Sequence, residues 1–177
     1  MVEQDTKARI LKAAEAVVGR QGSKAMTLEA VAKEAGVSKG GMLYHFPNKT
    51  ALIAAMVGQA ISEFEAALST AERASGDWLE GYLDATFADL ERVDSLSGIL
   101  AAVAEEPELL KPFQAALDRW YKKAESDYGA TAIPLLLALD ALWLHVLLGT
   151  LPTFPLVELQ QILRNQAHEC QNLRRNR

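Results

Sequence analysis

The segment from Thr27 to Phe46 constrains the fold of this chain more than any other part of the sequence. Two short stretches with helical apolar spacing flank Gly36, and each follows a hydroxyl residue, Thr27 or Ser38, that can cap a helix. Glycine permits the strain-free backbone that a tight corner requires. We therefore predict a short helix that ends at Gly36 and a second one that runs from Ser38 to about His45.

The apolar positions around this segment predict a small three-helix unit. A preceding helix should begin at Asp5 or Thr6, end at Gly22 and bury one stripe, comprising Ile10, Leu11, Ala14, Val17 and Val18. Val31, Val37 and Met42 would close the core. A unit of this size lets its last helix lie in the major groove of DNA while the earlier helices support it.

The remainder of the chain also carries helical spacing, with Pro and Gly as breaks. Strand signals are scarce, so the predicted fold class is all-α with about nine helices. After the three-helix unit we expect helices over 48–71, 77–90, 96–104, 107–128, 131–149 and 155–173. The tail beyond them, which contains Arg174, is expected to fray.

Composition limits the class of protein. Cys170 is the only cysteine, which excludes a disulfide framework and favours a cytoplasmic location. The net charge is −5, but residues 1–60 contain eight basic and five acidic side chains, so this part carries +3 and the rest −8. A basic front suits DNA binding. The apolar run 132–151 is long enough for a membrane span, yet Asp140 and His145 favour a buried core or interface helix.

A pattern of short motifs surrounds the second helix of the Thr27–Phe46 segment: Gly36-Val37-Ser38-Lys39-Gly40, Tyr44-His45-Phe46, Asn48-Lys49 and Ala51-Leu52. With this pattern, residues 5–55 resemble the TetR family of regulators, whose signature surrounds the recognition helix. The resemblance implies a helix-turn-helix DNA-binding domain over 1–48 and a helical ligand-binding and dimerisation domain over 49–177. It also implies a repressor that binds a near-palindromic operator as a dimer and is released by a small, largely apolar or aromatic ligand.

The resemblance further implies the DNA contacts. Lys39, Gly40 and Gly41 would face base edges, whereas Thr27, Tyr44, His45 and Lys49 would contact phosphate, and the free N–H groups after Ser38 suit an anion. Four of these residues have a second interpretation. Tyr44 could be a core aromatic, His45 could cap its helix, and Lys39 and Lys49 could be solvated lysines without a DNA contact. Phe46 is expected in the core. Many relatives carry tyrosine at Leu43 and a larger polar residue at Gly41, so discrimination here would rest on DNA shape or on Lys39.

The last two long helices should pair with those of a second subunit, as the resemblance implies; an apolar helix over 131–149 also needs cover on every side. Aromatic, methionine and polar residues of the C-terminal part could line an effector pocket. The candidates are Met56, Phe64, Trp78, Tyr82, Trp120, Asp140, Trp143 and His145. Each aromatic could equally be a core residue, and Asp140 could pair across the dimer.

An enzyme and an adaptor are the alternatives to a regulator. An enzyme is disfavoured, because no nucleophile motif, phosphate-binding glycine loop or metal-ligand spacing is present; His168 and Cys170 point to different sides of a helix. No cofactor or metal is therefore expected. A helical adaptor of the same fold that acts through a protein partner is the alternative, and activation instead of repression stays open.

Overall fold

The structure is a computed structural model that describes residues 2–90, 106–150, 153 and 155–175. Within these ranges the chain forms helices and no strand, which confirms the all-α fold. The helices are α1 (Val2–Gln21), α2 (Leu28–Ala35), α3 (Lys39–His45), α4 (Lys49–Ser75), α5 (Trp78–Leu90), α6 (Lys111–Tyr128), α7 (Ile133–Leu147) and α8 (Leu156–Arg175). Short 3-10 segments cover Ser23–Ala25, Pro107–Leu110 and Ala130–Ala132. The helix predicted over 96–104 lies outside the described residues.

Some helix ends differ from the predicted ones. Helix α1 begins at Val2 instead of being capped by Asp5 or Thr6; an acidic residue such as Asp5 is favourable in a first turn because of the helix dipole. Helix α4 continues beyond the predicted end at residue 71 and ends at Ser75. The next residue, Gly76, adopts a positive φ of 76°. Arg174 is helical, and its guanidinium carbon lies 5.2 Å from the centre of the Tyr128 ring, so the helix does not fray there.

Two compact units divide the chain. The first contains the described residues 2–61 and 106–113, and the second contains 62–90 and 114–175. In the first unit the apolar stripe predicted for α1 is buried, together with Val31 of α2, Met42 of α3 and Leu52 of α4. Val37, Leu28 and Phe113 are partly buried against this core. Each fully buried large side chain contributes roughly 1.5–3 kcal/mol, and this shared core packs α1, α2, α3 and the start of α4 together.

The second unit packs α5 against α7 and α8. The buried face of α7 carries Leu135, Leu136, Leu139 and Leu142. Polar side chains join α8 to α5 at the edge of this core: Arg164 pairs with Asp84 at 2.6 Å, and the Gln171 amide nitrogen donates to Glu80 at 2.8 Å. These contacts orient α8, although partly exposed pairs of this kind stabilise a protein by less than about 1 kcal/mol.

Helix α4 has the length and mean hydropathy of a membrane span, with 27 residues and a hydropathy of 1.4 over its most apolar window. Core helices of globular proteins meet the same criteria. Leu52, Ile53 and Val57 of this helix are buried in the core of the first unit. The length and hydropathy of one helix are therefore weak evidence for a membrane span.

Candidate nucleic-acid interface and effector cluster

The helix-turn-helix is built by local hydrogen bonds at the predicted positions. The Thr27 hydroxyl oxygen accepts from the Ala30 N–H at 3.1 Å, and the Ser38 hydroxyl oxygen accepts from the Gly41 N–H at 3.1 Å. Between the two helices Gly36 adopts the left-handed conformation with φ 64°. A side chain is disfavoured there. The two side-chain bonds fix where α2 and α3 begin, and Gly36 fixes where α2 ends.

Helix α3 presents one face to solvent. Met42 is buried in the core, whereas Lys39, Gly40, Leu43 and Tyr44 are exposed, and Gly41 and His45 are half-buried. Phe46, just after the helix, is 2% exposed, which confirms it as a core aromatic. Tyr44 is 73% exposed and is therefore not a core residue; its ring meets the His45 ring edge-on at 5.2 Å.

The starts of α2 and α4 lie in the same unit as α3. Thr27 is exposed, and Asn48 caps α4 by accepting from the Ala51 N–H at 2.8 Å. Lys49, in the first turn of α4, is half-buried, and its Nζ donates to the Ser23 carbonyl oxygen at 3.4 Å. The ammonium of Lys49 is thus positioned by the backbone before α2.

A groove of about 280 Å³ runs between α2 and α3. Its walls are mostly apolar, with charged groups at Glu29, Lys33 and Lys39. Leu43, which is 42% exposed, lines the same groove. The recognition helix therefore borders an open surface that combines apolar contacts with basic side chains.

Four of the predicted pocket aromatics form one cluster in the second unit. The Phe64 ring lies 4.8 Å from Trp120 and 5.4 Å from Tyr82, measured between ring centres. Trp78 lies 5.3 Å from Tyr82, which in turn is 6.0 Å from Trp120. Edge-to-face and tilted geometries at these distances stabilise aromatic pairs beyond the effect of burial alone.

Asp140 of α7 meets this cluster through two tyrosine hydroxyls. Tyr121 donates to one carboxylate oxygen at 2.6 Å, and Tyr82 donates to the other at 3.2 Å. Burial raises the pKa of Asp140 above its ordinary value, although both hydroxyl groups oppose the shift. Burial and the facing carboxylate also raise the pKa of Tyr82 and of Tyr121. No described cation contributes to the shift of the Asp140 pKa.

The other predicted pocket residues are Met56, Trp143 and His145. Met56 is buried in the core of the first unit. The Trp143 indole donates to Asp89 at 3.0 Å, and the exposed His145 ring lies 3.0 Å from the Thr150 hydroxyl. Tyr121 belongs to the cluster but was not predicted there, because its contact with Asp140 joins residues 19 positions apart on different helices. No local sequence signal identifies such a pair.

Both parts of the chain match family models. Residues 10–56 match the model of bacterial regulatory proteins of the tetR family, and residues 76–165 match the tetracyclin repressor-like C-terminal domain. The chain therefore belongs to the TetR family of transcriptional regulators, with a DNA-binding helix-turn-helix. No curated protein matches the chain significantly in sequence.

Solved structures agree with this assignment. A TetR family member from Streptomyces coelicolor A3 is 27% identical, with a TM-score of 0.70 over 91% of this chain and 97% of its own. The multidrug binding protein EbrR is similar in two complexes. With malachite green it is 25% identical, with a TM-score of 0.66 over 90% of this chain and 96% of its own. With ethidium it is 26% identical, with a TM-score of 0.59 over 91% and 98%.

Proposed function

We propose that this protein is a cytoplasmic transcriptional repressor. It binds a near-palindromic operator as a homodimer and is released by a small aromatic effector. Residues 1–48 form the DNA-binding domain, and residues 49–177 form the domain for effector binding and dimerisation. The observation that carries the proposal is the exposed face of α3, which presents Lys39 and Tyr44 outward while Met42 anchors the helix in the core.

The DNA contacts divide between bases and phosphates. Lys39, Gly40 and Gly41 approach base edges in the major groove, because they lie on the first turn of α3. The phosphates are bound by groups around this turn: Thr27, Ser38, Tyr44, His45 and Lys49. The charge of +3 on residues 1–60 supports this role, since phosphate contacts dominate the affinity for DNA.

Exposed apolar side chains on α7 and α8 support the dimer. Leu137 and Leu144, two turns apart on α7, are 56% and 49% exposed. Val157 and Ile162 of α8 are 79% and 50% exposed. Apolar surface of this kind marks an interaction site. A second copy would cover it through the same two helices, as in an isologous interface.

The aromatic cluster around Asp140 supports an effector site for a flat, positively charged molecule. Phe64, Tyr82 and Trp120 offer ring faces, and Asp140 adds a carboxylate for which the described residues supply hydroxyl donors but no cation. A flat aromatic effector with a positive charge would meet both features. The similarity to EbrR, which has been solved with malachite green and with ethidium, supports the same class.

Helix α4 offers a route from the effector to the DNA. It contributes Leu52 to the core of the first unit and Phe64 to the aromatic cluster. An effector that displaces Phe64 would alter α4 and so move the two recognition helices of the dimer relative to successive grooves. A preference of a few kcal/mol for the DNA-incompetent state is enough, since 1.4 kcal/mol changes affinity tenfold.

Fluorescence anisotropy tests the proposal with DNA from upstream of the protein's own gene, at several salt concentrations. We expect specific binding that weakens steeply with salt, by about 0.9 in the log–log slope for each phosphate contact. Adding malachite green as a probe should release the protein from the DNA; ethidium is unsuitable in this assay because it intercalates into the duplex itself. Absence of binding at low salt would favour the adaptor instead, and binding that malachite green never weakens would contradict the effector site.

A further inference from the structure

The exposed face of α3 offers few groups that could distinguish bases by hydrogen bonding. Gly40 has no side chain, so Lys39 is the main polar candidate near base edges. Leu43 stands one turn after Lys39, on the same side of the helix. It is 42% exposed and borders the open groove between α2 and α3 together with Lys39. One exposed leucine alone would need no explanation.

Gly40, next to Leu43 on the helix surface, is the second observation that points to DNA contact. A Cβ built at Gly40 would meet no atom within 4 Å, and the residue has no positive φ, so neither packing nor backbone geometry requires glycine there. Glycine within a helix nevertheless destabilises it by up to about 1 kcal/mol relative to alanine. Gly40 lies three residues before Leu43, hence beside it on the helix surface. The bare backbone allows α3 to approach a duplex closely and brings Leu43 within reach of the base edges.

Thymine is the base whose major-groove edge presents an apolar group, the C5-methyl. A leucine side chain packs favourably against this methyl group. Against the polar edges of guanine or cytosine it would instead remove water without replacing the lost hydrogen bonds. We propose that Leu43 is a specificity-determining residue that recognises the methyl group of one thymine in each half-site. This inference rests on the proposed operator binding and adds the base that α3 prefers.

Deoxyuridine provides the test, because it keeps the hydrogen bonds of thymine and lacks only the methyl group. A binding site is first selected from random DNA with the wild-type protein. Each thymine of the selected site is then replaced by deoxyuridine in turn, and affinity is measured by anisotropy. At one position per half-site we expect a loss of about fourfold, the effect of one buried methyl group.

Variants identify the side chain responsible. Leu43→Ala should bind the thymine and deoxyuridine sites equally, whereas Lys39→Ala should bind both more weakly and keep the difference between them. Since Leu43 is half-exposed, its replacement should leave the thermal unfolding midpoint nearly unchanged, which circular dichroism checks.

The possible failures are distinguishable. If the wild-type protein selects no sequence at all, the proposed operator binding and this inference both fail. If it selects a site but is insensitive to every deoxyuridine, or if Leu43→Ala keeps the wild-type sensitivity, only the role of Leu43 is overturned.

Discussion

Two charged residues, Lys49 and Asp140, are held in place by hydrogen bonds within the chain. Lys49 donates to the Ser23 carbonyl, so its ammonium is already oriented for the phosphate contact proposed above. Asp140 accepts from Tyr82 and Tyr121, so its carboxylate stays fixed at the edge of the aromatic cluster. Both side chains are therefore pre-organised, and pre-organised groups bind a ligand with a smaller entropic loss.

Replacing Lys49 with alanine should weaken binding to all DNA sequences alike. Each subunit loses one phosphate contact, so the log–log salt slope should flatten by about two per dimer. Anisotropy at four or more salt concentrations measures this slope. Lys122→Ala is the matched control, because Lys122 is an exposed lysine of α6 that pairs with Asp118. Equal slopes in the two variants would exclude a phosphate contact by Lys49.

Replacing Asp140 with asparagine should not lower stability at neutral pH. The folded-state pKa of Asp140 is raised, so the folded protein binds more protons than the unfolded chain, and stability falls as pH rises through that interval. Asparagine lacks this penalty. The thermal unfolding midpoint of the variant should therefore equal or exceed that of the wild type at pH 7, with a difference that shrinks in acid.

The same variant should bind ethidium more weakly, since the carboxylate charge is lost. Asp118→Asn, an exposed site on α6, is the control for both measurements. A midpoint below the wild type at pH 7 that recovers in acid would contradict the sign of the pKa shift, and unchanged ethidium affinity would contradict the role of the charge.

At the scale of elements, the α4–α5 connection depends on a close backbone approach. Gly76 ends α4 with φ 76°, and Asp77 caps α5 by accepting from the N–H groups of Leu79 and Glu80 at 2.9 and 3.1 Å. The Tyr128 hydroxyl donates to the same carboxylate group at 2.9 Å. One turn later a Cβ at Gly81 would stand 2.6 Å from the Glu72 backbone nitrogen of α4. The two helices can lie this close only because residue 81 has no side chain.

Gly81→Ala should therefore destabilise the protein by about 2 kcal/mol or more, since overpacking against backbone cannot be relieved by a rotamer change. Gly58→Ala provides the contrast. Its Cβ would meet nothing within 4 Å on α4, so the higher helix propensity of alanine should raise stability by up to about 1 kcal/mol. Urea unfolding of both variants measures the difference; equal free energies of unfolding would refute the close approach.

For the molecule as a whole, the proposed repressor requires two recognition helices to act together. In the proposed dimer, a second copy of the chain would cover the exposed leucines of α7. Two heads on one assembly bind adjacent half-sites with an effective concentration that a single head lacks. Dimerisation and operator affinity should therefore be lost together.

The double variant Leu137→Glu with Leu144→Glu should be monomeric, because it places charges where apolar contact is needed. Size-exclusion chromatography with light scattering gives the mass, and anisotropy should show operator affinity reduced at least tenfold. Leu43→Glu is a control for the oligomeric state, since it changes an exposed leucine of the first unit. A dimeric double variant would refute this interface.

The helix-turn-helix could be predicted from the sequence alone. The caps at Thr27, Ser38 and Asn48 and the left-handed Gly36 depend on interactions within a few residues, so local chemistry determines them. The packing of the helices, in contrast, determines which aromatics surround Asp140, that Tyr121 joins them, and that residue 81 must be glycine. These features join residues distant in sequence, and their contacts are set by how helices pack, which no local pattern encodes.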